Sequence, residues 1–308
     1  MLYYQQINVL LKTMLKPKKQ QYLEQLQDEY QKLCIGKESL LKIIFEAELP
    51  ESVYNSNAIE NSTLTISETE KILLEMEVAR EVSVREVFEA KNLARVFEYL
   101  QKKLPKLKLN KDLILFLHKM LITGINDDIA GRFRQAGEFV RVGTHIAPAP
   151  EHLERMIEQI LNEYKKNKNH IVDKIAKFHL DFETVHPFID GNGRIGRVLI
   201  NFQLMKEGLP PVIIRDRQKA EYYQTFKVYR EKKNNIDSMV DVIYLALTES
   251  FHKRIAYLKG QKIIKLTEYA EKNNISKHSL LNKARRQTIP AFREKGIWKI
   301  GADYLINE

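Results

Sequence analysis

The chain has 308 residues, 44% hydrophobic and 29% charged, with a formal net charge of +10 at pH 7. That is the composition of an ordinary globular protein with core enough for one large domain or two to three smaller ones, without repeats or low-complexity tracts. The single cysteine, Cys34, excludes an internal disulfide and suits a reducing cytoplasm; no run approaches the ~18 uninterrupted apolar residues of a membrane span.

The opening residues Met1, Leu2, Tyr3 and Tyr4 lack the basic start and apolar run of a secretory signal. Cys34, between Leu33 and Ile35, reads as a small apolar residue rather than a nucleophile. Residues 18–35 carry Tyr22, Leu23, Leu26, Tyr30 and Leu33 at helical spacing. Ser67 with Glu70 fits a capping box ahead of Ile72, Leu73 and Leu74. Further helices are expected over 84–101 and over 110–122, the latter closed by Gly124. Within 137–146, β-branched residues flank Gly143 without helical period, which predicts a short hairpin. Helices are expected again over 151–165, 173–185, 198–206, 216–233 and 238–258. Gly260 and Gln261 mark a boundary, after which short helices over 266–272 and 276–286 and a hairpin ending near Ile300 are expected. The domain division this implies is 1–109, 110–258 and 260–308.

The densest chemistry lies in His186-Pro187-Phe188-Ile189-Asp190-Gly191-Asn192-Gly193-Arg194-Ile195-Gly196-Arg197. Pro187 cannot extend the helix before it, so His186 falls at or just past its end. Gly191, Asn192 and Gly193 favour a tight turn, and a helix restarts at Arg194. A glycine turn feeding a helix N-terminus presents free N–H groups and the positive end of the helix dipole, an anion site. Arg194 and Arg197, three residues apart, add two guanidinium forks to one face, more than one carboxylate needs and suited to a polyphosphate. Asp190 offers an oxygen to a hard cation such as Mg²⁺. His186 is the group able to accept a proton near neutral pH.

In this order the segment resembles the Fic-domain signature at every defined position, and the resemblance spans about residues 50–250. It implies a mainly α fold: a helical core with a short β-hairpin flap. It further implies transfer of AMP from ATP to a Ser, Thr or Tyr hydroxyl of a target protein. His186 would be the base; Asp190 would hold Mg²⁺; Gly191, Asn192, Gly193 and Gly196 would line the phosphate site; Arg194 and Arg197 would hold the β- and γ-phosphates. Gly193 stands where relatives that phosphorylate their targets carry lysine.

Upstream, Ser56-Asn57-Ala58-Ile59-Glu60-Asn61 resembles the inhibitory motif of the same family, which implies that Glu60 pairs with Arg197 and blocks the γ-phosphate. Val142, Gly143 and Thr144 resemble the flap that docks an extended target segment by strand addition. Tyr222 and Tyr223 match a pair near adenine in relatives. Residues 266–298 resemble a winged helix-turn-helix module, and residues 259–308 carry eleven Lys or Arg against five Asp or Glu. That charge makes a DNA-binding regulator with a Fic sensor region the alternative, alongside a Fic enzyme acting mainly in AMP removal; a protein contact or a homodimer through this module is the third option.

Overall fold

The structure is a computed structural model and describes residues 14–78, 81–232 and 234–305. Twelve helices occupy these residues: α1 (Pro17–Cys34), α2 (Glu38–Ile59), α3 (Ile66–Leu74), α4 (Val84–Lys103), α5 (Lys111–Ile122), α6 (Leu153–Lys166), α7 (Ile171–Val185), α8 (Asn192–Lys206), α9 (Lys219–Glu231), α10 (Asp237–Leu258), α11 (Leu266–Lys272) and α12 (Lys277–Arg285). The strands are β1 (Arg141–Val142), β2 (His145–Ile146), β3 (Ile263–Lys265), β4 (Phe292–Glu294) and β5 (Ile297–Gly301). The expectation about residues 1–6 as a signal falls outside the described residues. None of the described helices is long and apolar enough to cross a membrane.

The centre is the pair α7–α8. Most amphipathic helices bury one stripe, but α7 is apolar on two. Phe178, Phe182 and Val185 join one core with α4, α5, α6 and Phe188. Val172, Ile175, Ala176 and Leu180 join a second with α1, α9 and α10. Helix α8 divides likewise, with Ile195, Val198 and Leu199 on one side and Ile200 and Leu204 on the other. The loop between α7 and α8, which carries the motif, is thus held on both flanks.

One local expectation is corrected. The cap of α3 is Thr65, not Ser67: the Thr65 side chain accepts from the Glu68 amide while the Glu68 carboxylate accepts from the Thr65 amide, a reciprocal box that places Ser67 inside the first turn. Helix α2 runs 22 residues through a stretch without apolar period. It buries polar groups, Glu48, Glu51, Asn55, Ser56 and Asn57, so the usual stripe is missing.

Residues 263–301 form a three-stranded antiparallel sheet of order β3-β5-β4 with α11 and α12 on one side. Leu266, Tyr269, Ala270, Leu280, Ala284 and Ile300 make their own small core. The β4–β5 hairpin lies against α2 and α10. Glu249 of α10 binds both Arg215 (2.8 Å) and Arg293 (2.5 Å), and Lys253 bridges Glu48 of α2 (3.1 Å) and Glu294 of the hairpin (3.2 Å). Glu51 of α2 also pairs with Arg215 and accepts from the Gly296 amide (3.2 Å).

Candidate active site

His186 closes α7 in the left-handed region, at φ 49°. A non-glycine residue there is held by its surroundings, and Arg134 supplies the hold. Its guanidinium donates to the carbonyls of His186 (2.9 Å), Pro148 (2.9 Å) and Glu138 (2.9 Å), and its amide donates to the Pro187 carbonyl (2.9 Å). Burial, followed by the Arg134 charge, lowers the His186 pKa to about 4, so the ring is neutral and able to accept a proton at pH 7.

The turn after it is locked by Asn192. That side-chain amide donates to the Phe188 carbonyl (2.8 Å) while its oxygen accepts from the Phe188 amide (2.9 Å). Its side chain is therefore committed to the loop itself. Gly191, at φ 84°, caps α8 in a conformation glycine adopts freely, and a Cβ there would press on Leu121 and Ile122. Beneath the loop, His118 stacks on Phe188 with centroids 3.7 Å apart, meets the Asp190 carbonyl at 3.0 Å and accepts from the Gly131 amide at 3.0 Å.

The head of α8 is occupied by Glu60. One oxygen of that carboxylate lies 2.8 Å from Arg197 Nη2, and a Cβ on Gly193 would fall on it. The carboxylate therefore fills the very space that glycine opens above the first turn. Arg197 is 4% exposed and takes the Ser56 hydroxyl (3.0 Å, from Nε) and the Ser56 carbonyl (2.7 Å, from Nη2) as further acceptors. Nη1 has no partner. Asn61, in the left-handed region at φ 71°, ends α2 and turns the chain away directly after Glu60.

The second arginine is engaged too. Arg194 meets Asp190 (3.0 Å) and Glu89 of α4 (3.1 Å), and Arg85 of α4 pairs with both Asp190 and Glu89. Neither Arg85 nor Glu89 stands out in the sequence, since an i,i+4 pair on a helix face ordinarily reads as solvated. Arg194 and Arg85 together hold the Asp190 carboxylate below its usual range against the opposing effect of burial. Among the described residues no cluster of three or more His, Cys, Asp or Glu forms a metal cage. One ionised carboxylate at the mouth fits a cation that arrives on a polyphosphate, because Mg²⁺ in such sites takes one or two carboxylates and the rest from phosphate and water.

Tyr222 is fully buried, its hydroxyl 2.7 Å from His179 Nε2 and its ring 5.9 Å from the Arg197 guanidinium. Tyr223 is 40% exposed and donates to the Ile59 carbonyl at 3.0 Å, beside Glu60. In the hairpin, Arg141 pairs with Ile146 and Val142 with His145 across a turn at Gly143 (φ 60°) and Thr144. His145 Nε2 lies 2.8 Å from the Thr184 carbonyl, which ties the hairpin to α7 one residue pair before His186. Val142 and Ile146 are exposed. Ser56, Glu60, His186, Asp190, Gly193, Arg194 and Arg197 thus converge, with the hairpin alongside and the tyrosines below. His179 and Glu183 of α7, absent from the sequence-based candidates, lie in the same place, the first buried and the second nearly so.

A basic, glycine-headed helix N-terminus beside a buried histidine is an arrangement suited to a polyphosphate. Residues 108–204 match the model of the Fic/DOC family. The chain is 33% identical over 183 residues to the protein adenylyltransferase Fic of Drosophila grimshawi, a match covering 58% of this chain and 38% of that one. The matched segment is thus about two-fifths of that relative's length. Among solved structures it is similar to Fic-1 of C. elegans, at 26% identity and TM-score 0.68, over 78% of this chain and 71% of the other. It shares its fold with a Fic domain containing signaling protein from Bacteroides thetaiotaomicron, at 24% identity and TM-score 0.71, over 78% of this chain and 97% of that one.

Proposed function

We propose that this chain transfers the AMP moiety of ATP to a hydroxyl of a target protein in a reducing, cytoplasmic setting, and that Glu60 holds the resting site off. The observation that carries this reading is the Glu60 carboxylate on Arg197, directly over Gly193 at the head of α8. An anion already sits where a phosphate would, and it claims the guanidinium a phosphate would need.

With Glu60 displaced, Arg197 and Arg194 take the terminal phosphates and the amides at the start of α8 take part of their charge. Magnesium, held by Asp190 and the phosphates, would supply charge neutralisation. His186, neutral at pH 7, removes the proton of the target hydroxyl. The hydroxyl oxygen bonds to the α-phosphorus, the bond from that phosphorus to the bridging oxygen breaks, and pyrophosphate leaves. The β1–β2 edge, with Val142, Gly143 and Thr144 exposed beside His186, suits an extended target segment. Tyr223, exposed next to Glu60, and Tyr222 beneath Arg197 suit the base end of the nucleotide.

The test is incubation of the Glu60→Gly chain with α-labelled ATP and a cell lysate. Label should enter protein in Glu60→Gly, weakly in the natural chain and not in His186→Ala with Glu60→Gly. Absence of label in Glu60→Gly would overturn the reading.

One observation favours a nucleic-acid contact as well: Lys277, His278, Lys283 and Arg285 of α12, and Arg286 just after it, are all exposed. Against it, the β4–β5 hairpin, which a winged-helix protein would offer to DNA, is spent on Lys253, Glu51 and Glu70 of the helical core. Salt-dependent retention of the full chain on duplex DNA, lost on charge reversal of Lys283 and Arg286, tests this reading.

A further inference from the structure

Two polar side chains of α7 play no part in the reading above. Glu183 and His179 stand one turn apart, and both lie against the bare face of Gly196: a Cβ there would fall on Glu183 Oε1 and 3.0 Å from His179 Nδ1. The Glu183 side chain is 11% exposed, and its Oε1 has no hydrogen-bond partner. Its Oε2 lies 3.8 Å from His186 Nδ1. That nitrogen is also buried and without a hydrogen bond, although the Glu183 carbonyl lies beside it. A buried carboxyl with a free oxygen is costly, and this one stands beside the proposed base.

We propose that Glu183 is the terminal acceptor of the proton that His186 removes, acting through the ring as a positioning residue. The inference rests on the nucleotidyl-transfer reading. The hydroxyl O–H bond breaks and an Nε2–H bond forms; with the 3.8 Å gap closed to hydrogen-bond distance in the reacting complex, the Nδ1–H bond breaks and an O–H bond forms at Glu183 Oε2. The ring ends neutral in its other tautomer, while the new O–P bond replaces the bond to pyrophosphate. Glu183 then returns its proton to solvent between turnovers.

The charges around the pair favour this direction. Glu183 is faced by Glu60 from the end of α2, Arg197 from α8, Tyr222 from α9, and His179 and His186 from its own helix and loop; Arg134 and His145 face His186. Burial first, then Glu60, raises Glu183 to about 8 against the pull of Arg197. Burial lowers His186 to about 4. In a Ser-His-Asp triad the carboxylate stays ionised because the imidazolium is the better proton holder; here the carboxylate is. At pH 7 most Glu183 already carries its proton, so the resting site lacks its acceptor as well as its phosphate ligand. Loss of the Glu60 charge lowers the hold on that proton, which ties the brake to the base.

The experiment uses the full chain in two arms. In the kinetic arm, transfer of label from α-labelled ATP into lysate protein is followed in Glu60→Gly from pH 6 to 9.5. The rate should rise about tenfold per pH unit below a midpoint lying under that of the natural chain. Glu183→Gln, which keeps the shape of the protonated acid, should remove this limb and lower the rate about tenfold or more, inside the ~10²–10⁴-fold range of general-base catalysis. The KM for ATP should hold. A rate independent of pH over this range, or a limb that survives Glu183→Gln, would overturn the proposal while leaving AMP transfer intact. In the second arm, ¹⁵N-histidine NMR without nucleotide follows His186 in the natural chain and in Glu183→Gln. Its Nδ1 signal should move as pH passes about 8 in the first and stay fixed in the second. Equal behaviour in both overturns the proposal even where no label is transferred, an outcome that would sink the transfer reading separately.

Discussion

Replacement of Glu60 should move stability and nucleotide affinity in opposite directions. The pair it forms with Arg197 is asymmetric: the guanidinium is 4% exposed and the carboxylate side chain 34%. A wholly buried pair broken on one side costs ~3–5 kcal/mol. Solvent at Glu60 screens this one, and Ser56 still offers Arg197 two acceptors, so about 1.5–3 kcal/mol is expected, the range for a hydrogen bond to a charged group. Glu60→Gly should thus lower the Tm by several degrees. ATP must displace the same carboxylate to reach Arg197, so the variant should bind ATP about ten- to a hundredfold more tightly, at ~1.4 kcal/mol per tenfold. Differential scanning fluorimetry with and without ATP reads both effects. At a hundredfold excess over Kd the nucleotide returns ~2.7 kcal/mol, so ATP should lift the variant's Tm to the natural chain's level or above. Glu60→Gln separates charge from bulk, since glutamine keeps the volume over Gly193 and drops the repulsion. A Tm unchanged in Glu60→Gly, with ATP affinity unchanged by isothermal calorimetry, would refute the reasoning.

Other consequences concern the same core and the seam behind it. Gly196→Ala places a methyl on Glu183 and His179, and overpacking of ~1–3 kcal/mol should appear as a lower urea midpoint with an unaltered m-value. Burial holds His118, His186 and His252 at about 4 and His179 at about 3. A lowered folded pKa means the unfolded chain binds more protons below 6.5, so stability should fall between pH 6.5 and 4 by up to about 1.4 kcal/mol per pH unit per histidine, measured by urea melts across that window. Glu183 has the reverse sign: with its pKa raised to about 8 the folded chain holds the extra proton, stability is lost as pH rises from 4.5 to 8, and Glu183→Gln should flatten that slope. Glu249→Gln leaves Arg293 beside a neutral partner and Arg215 with Glu51 alone; a loss of ~3 kcal/mol, with faster proteolytic release of residues 260–308, is expected.

The linear chain by itself determined the elements that follow a local rule and the site that sits within one turn. Pro187 ends α7, Gly191 caps α8, and the spacing of Arg194 and Arg197 puts both on one helical face; each of these depends on neighbours along the chain, so twelve residues carried the proposed phosphate site and the proposed base. The short-range signals of α4, α5, α7 and the hairpin at Gly143 are of the same kind. Tertiary structure decided the rest. Helix α2 has no readable stripe, because polar side chains are buried among its apolar ones; Glu48 and Glu51 are paired with Arg215, Lys253 and Arg254 from α10 and the loop before α9. Arg85 and Glu89 become part of the site only because α4 lies across the head of α8. Glu183 differs from an ordinary helix-face carboxylate only in what covers it: a glycine that lets α8 approach, and a second carboxylate, 123 positions away in the chain, that claims its nearest counter-charge. Desolvation and charge coupling of that sort depend on distances in space, and residue spacing does not encode them.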